Sequence, residues 1–281
     1  MQFELPGPLA VPDGRYLARS GDGQQVLVIE TTGAPPPPRR RRRRPKESEA
    51  TSDPAPLPLS RVTAIRAEEP FEESGEADAW LEEALASEDS IDAVVAEGVA
   101  LLNRAIHAHA VASADPLGTE LRADQATTVR IGHGSGKEVA SSRFSSAREV
   151  DVRSGASARR RKDQELRPQE RLAAVLGGRE QFDACETLIL RARADLDGDR
   201  RREAALQLRV GLEAMLIELD NALADPDHEE DMAQLQARRG EAGEAANAAL
   251  RGDLSVDDER RVTELTEIAE RILRRRRVLR G

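Results

Sequence analysis

The sequence predicts an α+β protein, in which a small antiparallel sheet with helices is followed by a mainly α-helical bundle. Residues 15–32 alternate apolar and polar side chains around a glycine turn, a pattern typical of a β-hairpin. From residue 166 onward, apolar residues recur every three or four positions, which is the spacing of one helix face. A length of 281 residues leaves room for two modest domains and their linkers.

The hairpin consists of Arg15–Arg19 and Gln25–Glu30, joined by a turn that contains two glycines. Because an isolated hairpin is only marginally stable in water, we expect further strands beside it. The candidates are Arg61–Arg66, whose side chains alternate in the same way, and Thr127–Ile131.

Two polar segments divide the chain. Residues 34–59 are rich in Pro, Arg, Ser and Glu and contain too little apolar surface to fold, so we expect a disordered linker. This linker separates the hairpin part, residues 1–33, from the remainder of the N-terminal α+β domain, residues 60–152. Residues 153–165 form a second, basic linker, and the helical bundle follows at residues 166–281.

The most one-sided charges are six consecutive arginines that follow four prolines inside the first linker: Arg39, Arg40, Arg41, Arg42, Arg43 and Arg44. Between Ala67 and Asp92 there are eleven Asp and Glu residues and no Lys or Arg. Like charges repel one another, and a charged side chain is rarely buried unpaired. The arginines are therefore a possible polyanion-binding segment, or they lie against the acidic stretch of their own chain.

Helices are expected on both sides of the second linker. In the N-terminal domain the apolar spacing predicts helices at Glu76–Ala86 and Ile91–Val111. The bundle is expected to contain about four or five helices, among them Phe182–Leu196 and Arg201–Leu223. A further helix begins at Pro226, and its Ala242, Ala245, Ala246 and Ala249 permit close approach of another helix.

Caps and apolar faces refine the prediction for the bundle. Asp199 is the expected N-cap of the helix that starts at Arg201, and Ser255 is the expected cap of the last helix. The helix from Arg201 has apolar residues on several faces, including Val210 and Ile217, which predicts a central position in the bundle.

A glycine-rich loop follows one predicted strand and resembles a phosphate cradle; it consists of Gly132, His133, Gly134, Ser135, Gly136 and Lys137. It departs from a P-loop, because Ile131 stands where the first glycine belongs and Glu138 where the magnesium-binding hydroxyl belongs. The segment is either a flexible turn whose glycines adopt positive φ, or a loop that binds an anion or another ligand.

Several kinds of site are not expected. Cys185 is the only cysteine, so an intrachain disulfide and a cysteine metal cage are excluded, and its thiol is interpreted as a small core side chain. His107, His109 and His228 are interpreted as surface residues, and their spacing does not suit one metal ion. We predict no catalytic residues, no metal and no cofactor.

The net charge of −10 argues against nucleic-acid binding by the whole molecule, although a local basic segment can still bind. Arg271, Arg274–Arg277 and Arg280 form a C-terminal cluster that is expected to be a solvated helix end. No aromatic residue lies inside a basic cluster, so a nucleic-acid contact is expected to be weak and non-specific.

The first residues of the sequence show no basic segment before an apolar one, and no apolar run is long enough to span a membrane. We therefore expect a soluble cytoplasmic protein without a membrane partner. The sequence leaves its oligomeric state open.

Leu196-Asp197-Gly198 followed by Arg202-Glu203-Ala204-Ala205-Leu206 resembles the middle of a tetratricopeptide unit, a helical hairpin used for protein binding. The resemblance covers about one repeat, lacks the aromatic positions, and has no second copy at the family's period. As a whole, the chain resembles uncharacterised proteins of GC-rich actinobacteria that have no assigned activity. The first resemblance implies protein binding, and the second implies a source but no function.

These features predict a non-enzymatic protein–protein interaction or scaffold protein with an unknown protein partner. One alternative is a sequence-independent nucleic-acid-associated protein that uses Arg-rich segments. Another is a ligand-binding or enzymatic domain around the glycine-rich loop, residues 132–137.

Overall fold

The computed structural model describes residues 1–20, 23–33, 57–67, 70–152, 168–219 and 225–280. The chain divides into two compact units, Met1–Ser157 and Ala158–Gly281, called here the N-terminal unit and the helical unit. The predicted basic linker, and the predicted Pro/Arg-rich linker up to residue 56, lie outside the described residues. The predicted α+β fold with a helical C-terminal region is confirmed.

The N-terminal unit contains an antiparallel sheet of six described strands in the order β2-β3-β4-β1-β5-β6. The predicted hairpin is the β2–β3 pair, and the two candidate strands are β4 and β5. The bounds of the strands are β1 Gln2–Pro6, β2 Gly14–Ser20, β3 Gly23–Thr32, β4 Leu59–Arg66, β5 Thr128–His133 and β6 Ser146–Val150.

Strand β1, which the sequence analysis did not predict, pairs with both β4 and β5. Phe3 lies opposite Val62 on one side and Val129 on the other, and all three side chains are buried. The edge strand β6 was also missed, because its residues Ser146–Val150 include two charged side chains and no buried position. Short strands with few apolar residues give little periodic signal.

Two long helices, α1 (Ser74–Ala84) and α2 (Glu88–Ser113), pack on the sheet, and a single turn, α3 (Gly136–Val139), follows β5. Alternate strand residues and the apolar faces of α1 and α2 form one core, which includes Phe3, Leu27, Ile29, Val62, Leu81, Val95, Leu102 and Ile131. Gly98 of α2 permits this packing, because a Cβ there would lie 2.8 Å from Met1 Sδ and 3.1 Å from the Phe3 ring.

The described part of the helical unit contains six helical segments: α4 (residues 168–176), α5 (Ala184–Asp197), α6 (Arg201–Glu218), α7 (Pro226–Ala237), α8 (Arg239–Ala249) and α9 (Val256–Arg280). The predicted number of helices, about four or five, was too low. The single helix predicted from Pro226 is divided into two at Arg238. The backbone of Arg238 has φ −95° and ψ 5°, outside the helical region, so α7 ends there and α8 begins anew.

The two predicted caps have different outcomes. Ser255 caps α9 as expected, since the Asp258 amide donates to Ser255 Oγ at 3.1 Å. The expectation for Asp199 was wrong, because this residue is left-handed, with φ 57°, and Arg200 is the N-cap of α6. The Asp199 carboxylate instead accepts a hydrogen bond from Arg201 Nε at 2.8 Å.

Helix α6 contributes a fully buried row to the core of the helical unit, formed by Leu208, Leu212, Met215 and Leu219. Four alanines of α8 are buried, and three of them belong to the same core: Ala242, Ala245 and Ala249 are in the core, and Ala246 is buried beside it. Val210 and Ile217, however, are 56% and 78% exposed. Helix α6 nevertheless packs against α5, α7, α8 and α9, so it lies centrally in the bundle as predicted, although Val210 and Ile217 do not contribute to that packing.

Cys185 lies in this core with no exposed surface, which agrees with its interpretation as a core side chain. Burial raises the pKa of its thiol to about 12, and the nearby Glu218 carboxylate acts in the same direction. The same carboxylate accepts a hydrogen bond from the Cys185 amide at 2.9 Å. A neutral, covered thiol is a poor nucleophile.

We predict that Ellman's reagent modifies native Cys185 at less than about one-hundredth of its rate in urea-unfolded protein, because access requires local unfolding. A control protein carries Cys185→Ala and Leu250→Cys, since Leu250 is 65% exposed. Raising the pH from about 7 to about 9 should accelerate labelling of the control, whose thiol ionises near 8.5, while native Cys185 should stay far slower than the control at both pH values. Equal native rates for the two thiols would contradict the buried position.

Candidate binding cleft

Of the two predicted binding segments, the structure describes one. Arg39–Arg44 lie outside the described residues. The glycine-rich loop is described throughout, and its residues 132–136 line a cleft in the N-terminal unit, whereas Lys137 is exposed and does not line it. The cleft is therefore the candidate site that the structure describes.

The cleft has a volume of about 970 Å³. Its walls are the end of β4, residues 70–74, helices α1 and α2, and the glycine-rich loop. The apolar lining includes Ile65, Phe71, Trp80, Val94, Leu101 and Val139. A predominantly apolar concave surface with a few polar groups is the usual form of a binding site.

An aromatic pair lies in this cleft. The ring centroids of Phe71 and Trp80 are 5.9 Å apart and their planes are tilted by 43°. Phe71 remains 45% exposed, although the chain is only 2% aromatic. A solvent-facing aromatic in so aromatic-poor a chain marks the mouth of the cleft as a contact surface.

Polar side chains of the cleft hold one another in place. Arg66 Nε donates to Glu97 Oε1 at 2.9 Å, and Gln25 Nε2 donates to the same oxygen at 3.0 Å. Gln25 in turn accepts from Arg104 Nη2 at 3.2 Å. His133 Nε2 lies 2.8 Å from Asp78 Oδ1, which links the glycine-rich loop to α1. These contacts fix the walls of the cleft.

Two of the three loop glycines are explained by close packing, and the expectation of positive φ was wrong. None of the three described loop glycines has positive φ. A Cβ on Gly132 would lie 2.4 Å from the Ser146 carbonyl oxygen, and one on Gly134 would lie 2.9 Å from the Ser145 amide nitrogen. The loop therefore needs glycine because the backbone of residues 145–147 passes directly against it.

The histidines give no metal site in the described chain, where no three His, Cys, Asp or Glu side chains are grouped to hold an ion. His228 was expected at the surface but is only 2% exposed, in α7 of the helical unit. Its backbone amide donates to the capping carboxylate of Asp225 at 2.9 Å. The interpretation of His228 as a surface residue was therefore wrong.

The C-terminal arginine cluster is also not simply solvated. Arg271 Nη2 donates to Asp231 Oδ1 at 2.9 Å, and Arg275 donates to Asp231 and Asp227 at 3.0 and 3.1 Å. Arg276 is buried and pairs with Asp183. Three members of the cluster thus hold the helical unit together, a role that the acidic residues of α7 could have suggested.

Comparison of the chain with protein-family models, with curated proteins and with solved structures finds no match. Among the described helices, none combines the length and apolar character needed to cross a membrane. The cleft is therefore interpreted from its own geometry.

We predict that Gly132→Ala lowers the free energy of unfolding of the N-terminal unit by about 1–3 kcal/mol, because the added methyl group meets backbone that must shift. Gly136→Ala is the matched control, since a Cβ there meets nothing within 4 Å and alanine favours a helical turn. Urea unfolding followed through Trp80, the chain's single tryptophan, measures both variants. Equal stabilities would contradict the close packing of the loop.

Proposed function

We propose that the protein is a non-enzymatic interaction protein that holds a segment of a partner protein in the cleft of its N-terminal unit. The observation that carries the proposal is the Phe71–Trp80 pair, whose Phe71 is exposed, at the mouth of an apolar cleft of about 970 Å³. Aromatic side chains supply large contact areas and are enriched where proteins bind each other. The proposal keeps the cytoplasmic location expected from the sequence.

The hydrogen bonds in the cleft support binding over chemistry. His133 is held by Asp78, and Glu97 is held by Arg66 and Gln25. Both carboxylate oxygens of Glu97 are engaged by these donors, so Glu97 is not available as a general base. The contacts give the cleft rigid walls, and a rigid site loses less entropy on binding.

The other candidate functions rest on fewer described residues. A small ligand is favoured by the volume of the cleft, which lies at the upper end for small-molecule sites. Nucleic-acid association rests on Arg39–Arg44, because Arg271, Arg275 and Arg276 of the C-terminal cluster are engaged by aspartates.

The test replaces Phe71 with the photo-crosslinking residue benzoylphenylalanine in the native host. Irradiation should join the protein to a discrete polypeptide, identified by mass spectrometry of the adduct. The control carries the same residue at Leu117, which is 82% exposed and does not line the cleft. The same adduct should not form from position 117.

Adducts of equal yield from both positions would contradict a specific site. A small molecule that co-purifies with the protein and blocks the adduct would replace the proposal with the ligand-binding alternative. Adducts that disappear after nuclease treatment would favour nucleic-acid association.

A further inference from the structure

We infer that the partner segment held in the cleft is basic, and that one of its arginine side chains stacks on the Phe71–Trp80 pair. This inference rests on the proposed function and names the chemistry of the partner. Three observations carry it: the charge around the cleft, the geometry of its mouth, and a similar arginine site elsewhere in the same chain.

The acidic stretch that contributes Glu72 and Glu73 to the cleft forms few ion pairs among the described residues. Nine carboxylates are described between residues 70 and 92, and none of them forms an ion pair with a described lysine or arginine; they are Glu72, Glu73, Glu76, Asp78, Glu82, Glu83, Glu88, Asp89 and Asp92. Asp78 has His133 as its partner. A cationic segment therefore complements this side of the cleft.

In the helical unit, by contrast, many described carboxylates form ion pairs with arginines. Glu270 accepts two hydrogen bonds from Arg193, at 3.0 and 2.7 Å, and Asp231 binds both Arg271 and Arg275. Acidic residues in that unit are thus widely matched by arginines of the same unit. The acidic stretch of the N-terminal unit lacks such matches among its described residues, which leaves its charge available to a partner.

At the mouth of the cleft, carboxylates and aromatic rings come together. Glu72 and Glu73 line the cleft directly after Phe71, and Trp80 faces Phe71 from α1. A planar guanidinium group can stack on an aromatic face while its N–H groups bind carboxylates. A lysine ammonium group carries the same charge, but it is not planar and cannot stack on the ring.

The chain already builds an arginine site of this composition in its helical unit. The guanidinium carbon of Arg171 lies 4.9 Å from the centroid of the Phe182 ring. The same side chain donates to Glu180 at 2.8 Å and to Glu186 at 2.7 Å. An aromatic ring with two glutamates thus holds an arginine there, and the mouth of the cleft presents an aromatic pair with two glutamates.

The test measures fluorescence anisotropy of labelled peptides with the full chain. One peptide carries several arginines, the second has lysines in their place, and the third has glutamates. The arginine peptide should bind roughly three- to tenfold more tightly than the lysine peptide, and the glutamate peptide should not bind. Phe71→Leu should remove the preference for arginine, and its partial exposure makes the change compatible with folding.

Paired variants separate the cleft from the acidic surface as a whole. Glu72→Gln with Glu73→Gln should weaken binding of the arginine peptide more than Glu82→Gln with Glu83→Gln. The second pair removes the same charge from the same stretch, but its residues do not line the cleft. Equal losses from the two pairs, equal affinity for lysine and arginine peptides, or an unchanged preference in Phe71→Leu would overturn the inference.

The outcomes also distinguish this inference from the proposed function. If a partner is crosslinked from position 71 but the arginine peptide does not bind, the cleft holds a partner of another chemistry and only the inference fails. If neither the crosslink nor peptide binding is found, both fail.

Discussion

The N-terminal unit depends on the pairing of β1 with two strands that are far apart in the sequence. On one side β1 joins β4 and with it the β2–β3 hairpin, and on the other it joins β5 and β6. Without β1 the two halves of the sheet have no strand between them. Because β4 and β5 end near the cleft, this pairing also brings Arg66 and the glycine-rich loop to one site. The candidate function therefore rests on backbone hydrogen bonds between distant segments.

The helical unit has a core whose described members include no aromatic side chain. Small residues such as Ala204, Ala205, Ala245 and Ala249 are fully buried there, so helices approach closely. Arginine–carboxylate pairs surround that core, and the buried Arg276–Asp183 pair is one of them. Removing one partner of a buried pair is costly, because the remaining charge is left without compensation. These pairs are best understood as structural, and they do not form a free basic surface.

Local patterns predicted the β2–β3 hairpin, β4, β5 and most helices, because each has a clear period of two or of 3.6 residues. They failed where an outcome depends on distant contacts. Strand β1 is short and is stabilised by neighbours more than fifty residues away. The break at Arg238 lies two residues before Gly240, and the left-handed residue beside Gly198 is Asp199 and not the glycine, so nearby glycines did not locate either feature.

The candidate site was only partly predictable for the same reason. The glycine-rich loop was recognised, but Gly132 and Gly134 permit the close approach of residues 145–147 and do not adopt positive φ. The Phe71–Trp80 pair was not predicted, because the two residues belong to different elements and meet only in the folded unit. The acidic stretch was recognised from composition alone, but its place beside an aromatic cleft requires the tertiary structure.

The central claim is that the cleft of the N-terminal unit receives an arginine-bearing segment. An NMR titration of the ¹⁵N-labelled full chain with an arginine-containing peptide tests this claim most directly. The account predicts that the largest shifts occur at the Trp80 indole N–H and at the amides of Glu72, Glu73 and Gly134, while α5–α9 change little. Shifts spread evenly along the acidic stretch as far as Asp92, or concentrated in the helical unit, would contradict it.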